Sequence, residues 1–323
     1  GLEGGDPGGG DLNGFLGVGI AADAGFPLLA FEGAEAGNLH FVTLDQGGGD
    51  GINGGIQATI DGCLFQNNTS KSASGSQGGG ALMFQGGPTV TVSNCQFIGN
   101  KSDMTNADSG GGAIRHNSGI LTVTNSSFTG NTAGKRGGAI YNAGTLIVKE
   151  SEFTGNVNTG DHGGAIYTGG ALTVTNSSFT ENKTTSNGGA IELNGAKTMT
   201  ITGSSFHGNT ATEGGALMMQ SSPSVTIDGC IFTQNHATNG GAIKNNSSTN
   251  SLVIKSSRFE GNTAKTKGGA LYQQDSSADY GHENNQFNSE HDKTAAIKVI
   301  QTSNKFLTEC LGKTSNNTEH DNQ

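Results

Sequence analysis

Aligned on a recurring phenylalanine, the chain repeats one alternation of apolar and polar positions eight times. Five residues before the aromatic stand Ile60, Val92, Val123, Val148, Val174, Ile201, Ile227 and Ile254. Seven before it stand Ala58, Val90, Leu121, Leu146, Leu172, Met199, Val225 and Leu252. The position between is threonine in six of the eight repeats and β-branched in all of them. Apolar residues at every second place, with β-branched residues between, predict strand and not helix. Each unit therefore reads as strand, turn, strand, turn, with glycine or asparagine at the corners.

Two strings punctuate the alternation. One is FxxN, at Phe65, Phe97, Phe128, Phe153, Phe179, Phe206, Phe232 and Phe259, degrading to FNSE at Phe287. The other is GGA followed by an aliphatic, with its alanine at Ala81, Ala113, Ala139, Ala165, Ala190, Ala216, Ala242 and Ala270. From Phe128 onward the aromatics lie 25 to 28 residues apart, and the first two gaps are 32 and 31. A fixed period in this range marks a solenoid, whose units bury an apolar face only by stacking. The expected fold is all-β: a parallel β-helix of roughly 25–28-residue coils over residues 56–290, capped by residues 1–55 and 291–323.

Stacking turns repeat positions into columns about 4.8 Å apart. The phenylalanines become an interior ladder. Asn68, Asn100, Asn131, Asn156, Asn182, Asn209, Asn235 and Asn262 become a second ladder, whose amides can donate and accept along the stack and satisfy corner backbone groups. The paired glycines fit a tight corner or a positive φ. Open solenoid ends invite pairing with other chains, so the apolar pieces at 26–31 and 39–44 are candidates to close the first coil.

Composition narrows the function. The chain holds 56 glycines, four prolines and no tryptophan, which fits fixed structural glycines but not a collagen period. Seventeen basic against 27 acidic residues give a formal charge of −10, which disfavours a nucleic-acid partner. No apolar run reaches the roughly 20 residues of a membrane helix. The sequence opens without a charged-then-apolar leader, so any secretion signal is expected to have been removed or to lie elsewhere.

The paired GGA(I/L/V) and FxxN strings resemble the repeat of the polymorphic outer membrane proteins, the chlamydial-type autotransporter adhesins. The resemblance spans roughly residues 56–290. It implies a right-handed β-helical passenger at a cell surface, extracellular or outer-membrane-associated, acting in adhesion to a cell-surface protein or polysaccharide. No membrane barrel follows the repeats here, which leaves a released passenger, a fragment or a differently anchored relative.

Enzymatic chemistry on such a fold needs converging carboxylates, or calcium-binding carboxylates with a base. The outward column four before phenylalanine (Asp61, Ser93, Thr124, Lys149, Thr175, Thr202, Asp228, Lys255) stacks no two acids. His116 and His207 show no zinc spacing, and Asp161–His162 reads as a solvated corner. No catalytic set, metal site or cofactor is expected, and a polysaccharide lyase or hydrolase stays an alternative. The Thr-x-Thr pairs at 122/124, 173/175 and 200/202 offer an ice-binding alternative. Self-assembly into an extracellular filament, with copies of itself as partner, is another.

Partner binding is expected where the repeat varies. The column two after the GGA alanine changes from coil to coil and is read as outward, with Tyr141 and Tyr167 as a candidate aromatic patch. The first two coils carry extra residues at 69–77 and 101–109, neighbouring insertions that bring Lys71, Lys101, Asp103 and Asp108 to one face. Cys63, Cys95 and Cys230 stand two before phenylalanine, where other repeats have serine. Cys63 and Cys95 fall on consecutive coils as a candidate disulfide, and Cys230, with serine above and below, as a buried free thiol.

Overall fold

The structure is a computed structural model that describes residues 57–71, 78–84, 86–103, 109–195, 198–220, 224–246 and 251–274, together with the strands Val42–Asp45, Asp279–Glu283 and Gln286–Phe287. All regular elements among these residues are strands. They wind into a parallel solenoid in which each coil visits four sheets.

The first sheet holds the five-residue strands of the alternating pattern, from Gln57–Asp61 to Asp279–Glu283. The second carries the phenylalanines, from Leu64–Gln66 to Gln286–Phe287. A third, of two-residue strands such as Thr132–Ala133, follows the asparagine corner. The fourth begins after GGA, as in Ile140–Asn142 and Ile166–Thr168. Neighbouring strands come one repeat apart in register, so Phe128 pairs with Phe97 on one side and Phe153 on the other. Val42–Asp45 joins the edge of the first sheet antiparallel to Gln57–Asp61. The rest of 1–55, and all of 291–323, lie outside the described residues.

The core follows the alternation. Val90, Leu121, Leu146, Val123 and Val148 have no exposed surface, while the threonines between them face out. From Phe97 to Phe259 the phenylalanines are fully buried, and successive rings from Phe65 stack 4.6 to 4.9 Å apart within 7° of parallel. Burial of one such ring is worth about 1.5–3 kcal/mol, so this column alone supplies much of the cohesion between coils.

The asparagine ladder closes its hydrogen-bonding completely. The Asn131 backbone N–H and its Nδ2 both donate to Asn156 Oδ1, at 3.0 and 2.9 Å, and Nδ2 also donates to the Phe97 carbonyl at 2.9 Å. The same pattern runs from Asn100 to Asn235. A third ladder occupies the column two before phenylalanine. There Ser126 Oγ accepts from the Cys95 amide at 3.1 Å and donates to the Thr124 carbonyl at 2.9 Å, and Ser151 and Ser177 repeat the arrangement.

Corners demand left-handed backbone. Three residues before phenylalanine, φ lies between 46° and 63°, at asparagine, glycine, Glu150 and Ser256 alike. The glycine pair answers two constraints. Its first member has positive φ, as at Gly137 (62°) and Gly163 (66°). Its second touches the next coil: a Cβ on Gly138 would stand 2.0 Å from the Gly164 carbonyl oxygen, and one on Gly164 would stand 1.9 Å from that of Gly189. Only glycine allows that approach.

Candidate functional site

The chemistry-bearing side chains gather on the outer side of the fourth sheet. The strand residue two after each GGA alanine points away from the core, because its neighbours on either side fill the interior. The corner residue just before each glycine pair lies beside it and stacks from coil to coil, Arg136 on His162, Asn187, Glu213 and Asn239 in turn. Glycine at positive φ turns this corner back over the strand that follows, so the outward column is roofed: Tyr141 is 8 % exposed, Tyr167 6 % and Glu192 0 %.

The two columns interlock on a diagonal, the corner residue of one coil meeting the strand residue of the next. The Arg136 guanidinium lies 4.9 Å from the Tyr167 ring centre. His162 Nδ1 meets Glu192 Oε2 at 2.7 Å. Glu213 pairs with Lys244 at 2.5 Å. Arg115 extends the strip at one end, 4.3 Å from the Tyr141 ring centre, and Lys267 and Lys244 flank Tyr272 at the other. Cation–aromatic contacts gain most where desolvated, as at the buried Tyr141 and Tyr167 rings.

Glu192 is the most enclosed ionisable group of the strip. Burial pushes its carboxyl above the ordinary carboxylate range, opposed by the hydrogen bond to His162. Gln220 Nε2 donates to its other oxygen at 3.2 Å. A buried carboxylate thus fixes one nitrogen of a histidine whose side chain is 20 % exposed. Asp161, the neighbour of His162, is ion-paired with Lys135, which holds its carboxyl below the usual range. Asp161 is solvated as expected, with its side chain 46 % exposed, and both residues of the corner are also paired with neighbouring coils. In-register stacking is the signal that would have found the second pairing, since His162 stands one repeat diagonally before Glu192 as Glu213 does before Lys244.

The Tyr141–Tyr167 pair is brought together, with ring centres 5.5 Å apart and planes 19° from parallel. Its setting differs from expectation: the rings are buried under the returning corner and the arginines, not displayed. Of the loop residues, Lys71 is exposed, and Lys101 pairs with Asp103 at 2.6 Å. Asp108, with residues 72–77 and 104–107, lies outside the described residues.

No disulfide joins Cys63 to Cys95 in the structure, so the expected bond is not formed in it. The pair is adjacent nonetheless: the Cys63 amide donates to Cys95 Sγ at 3.3 Å. Cys230 is fully buried between serine neighbours, with its thiol pushed up to about 11 by burial. His116 is interior, its Nδ1 2.6 Å from Asn142 Oδ1, and His207 is exposed with Nδ1 2.9 Å from Thr233 Oγ1. Among the described residues no group of three histidine, cysteine, aspartate or glutamate side chains forms a metal cluster.

A family model described as "Right handed beta helix region" matches residues 30–179 and 159–311, which together span most of the chain. No curated protein and no solved structure gives a match.

Proposed function

We propose that this chain, which belongs to the right-handed β-helix family, is the rod of an extracellular surface protein that acts in adhesion to a cell-surface protein or polysaccharide. The observation that carries the reading is the division between columns. The alternating apolar, phenylalanine and asparagine columns keep their residue type over eight coils, and this constancy builds a stiff scaffold. The largest departures from the repeat along the sequence are the insertions of the first two coils. The likeness of the GGA and FxxN strings to the polymorphic outer membrane protein repeat supports display at a cell surface.

The experiment is to trim both insertions to the common repeat length and compare attachment with the parent at matched thermal stability. Coil stability is close to a sum of intrinsic and nearest-neighbour terms, so the trimmed rod should fold. Reduced attachment is the expected result. Full attachment by the trimmed rod would remove the insertions from the contact surface.

One observation favours a second reading, an enzyme acting on a polysaccharide. His162 is oriented by a buried carboxylate, the arrangement that prepares an imidazole for proton transfer. Release of shortened polymer, lost in His162→Ala, would establish it; an unchanged polymer would remove it.

A further inference from the structure

The two cysteines of the third ladder occupy a place that the repeat otherwise gives to serine. Cys63 and Cys95 flank the strands Leu64–Gln66 and Gln96–Ile98, which pair in parallel with Leu64 opposite Gln96. Parallel strands lie about 4.8 Å apart, inside the Cα separation that a disulfide spans. Cys63 is half-buried and Cys95 is 1 % exposed. Cys95 Sγ stands 3.3 Å from the Cys63 amide and 3.0 Å from the Ser93 carbonyl.

We propose that Cys63 and Cys95 are a redox-operated clasp, which a small-molecule disulfide oxidises to a covalent bond joining the first two coils. The half-buried Cys63 is the sulfur that solvent reaches. Its thiolate attacks one sulfur of the small disulfide, forming a mixed disulfide and releasing one thiolate. Cys95 then gives up its proton, and its thiolate attacks the Cys63 sulfur and expels the second thiolate. Two protein thiols lose two electrons in all, the small disulfide is reduced to two thiols, and the two cysteine protons end on them. The asymmetry between the sulfurs supports the order. The hydrogen bond from Cys95 lowers the Cys63 thiol, whereas that same bond and burial raise Cys95.

The location gives the bond a task. Leu64–Gln66 is the edge strand of its sheet, so the first coil has a described neighbour there on one side only. A terminal repeat held by one interface opens before the interior ones. The bond would close a loop over a sequence separation of 32 residues that contains the first insertion, tying down the end that the proposed attachment surface occupies. The clasp itself does not rest on the adhesion reading.

The test is to incubate the full chain with reduced and then oxidised glutathione and map thiols by peptide mass spectrometry. Oxidised glutathione is expected to remove Cys63 and Cys95 as free thiols and yield their cross-linked peptide, leaving Cys230 free. Limited proteolysis at the first coil should slow on the order of tenfold or more. Cys95→Ser should arrest at a glutathione adduct on Cys63. That variant keeps the ladder, because Ser126 and Ser151 fill the same place. Persistence of both thiols, a stable glutathione adduct on Cys63 of the parent, or bonding of either cysteine to any other cysteine of the chain would each overturn the clasp.

Discussion

His116 shows how a single interior position gives this rod a pH response. Asn142 donates its Nδ2 to the Gly144 carbonyl at 2.8 Å and to Thr168 Oγ1 at 2.9 Å, which turns its Oδ1 toward His116. The 2.6 Å contact therefore has His116 Nδ1 donating, and Nε2 is left as a buried lone pair with no hydrogen-bond partner. Protonation there would place a charge in the core, and burial lowers this imidazole from its ordinary 6.5. The unfolded chain takes the proton first, so stability is complete above about pH 6.5 and falls as pH drops toward the lower folded value. Between about pH 7.5 and 5.5 the loss should reach up to about 1.4 kcal/mol. His116→Asn should remove it, and urea unfolding of both proteins at the two pH values checks this. The ladder makes an equally local demand at Asn156. Asn156→Ala leaves the Asn131 amide and Nδ2 without their shared acceptor in a dry interior. The cost should be on the order of 3 kcal/mol or more, measured by the same unfolding, against a surface control such as Thr154→Ala within about 0.5 kcal/mol.

At the scale of the element, the glycine corners separate two effects that sequence alone runs together. Gly155 has φ of 61° and open space where a Cβ would go, so Gly155→Ala should cost about 1 kcal/mol for the left-handed backbone. Gly164 has ordinary φ but a carbonyl 1.9 Å from its Cβ position, so Gly164→Ala must push two coils apart. That should cost about 3 kcal/mol or more, as a drop in thermal midpoint several-fold larger than for Gly155→Ala. The strands of the first two sheets and the phenylalanine and asparagine ladders were legible in the sequence, because parallel stacking keeps one residue type per column. The third sheet was not, since two residues such as Thr132–Ala133 are too short to show a period. Nor was the roof over Tyr141, Tyr167 and Glu192. A column that varies reads as exposed, and here three of its members, Tyr167, Glu192 and Lys244, answer the different diagonal partners Arg136, His162 and Glu213. The His162–Glu192 pair lay within reach of the sequence once register was applied diagonally. It predicts that His162→Ala, which strips one partner from a buried carboxylate, destabilises more than Glu192→Gln, which removes the charge and keeps the shape.

Over the whole molecule, seven ring-to-ring steps of 4.6 to 4.9 Å carry the phenylalanine stack about 33 Å along the axis, a continuous core with no domain boundary among the described coils. The uniform ladders hold the rod together, and the insertions that break the repeat in the first two coils are the ground for the adhesive reading. The measurement that tests it most directly is binding of the purified chain to cell surfaces and to immobilised polysaccharide, with the polymer's length followed in the same samples. The account predicts saturable binding, competed by excess soluble chain, with the polymer unchanged in length. Binding that never saturates, or polymer that shortens on contact with the rod, would contradict it.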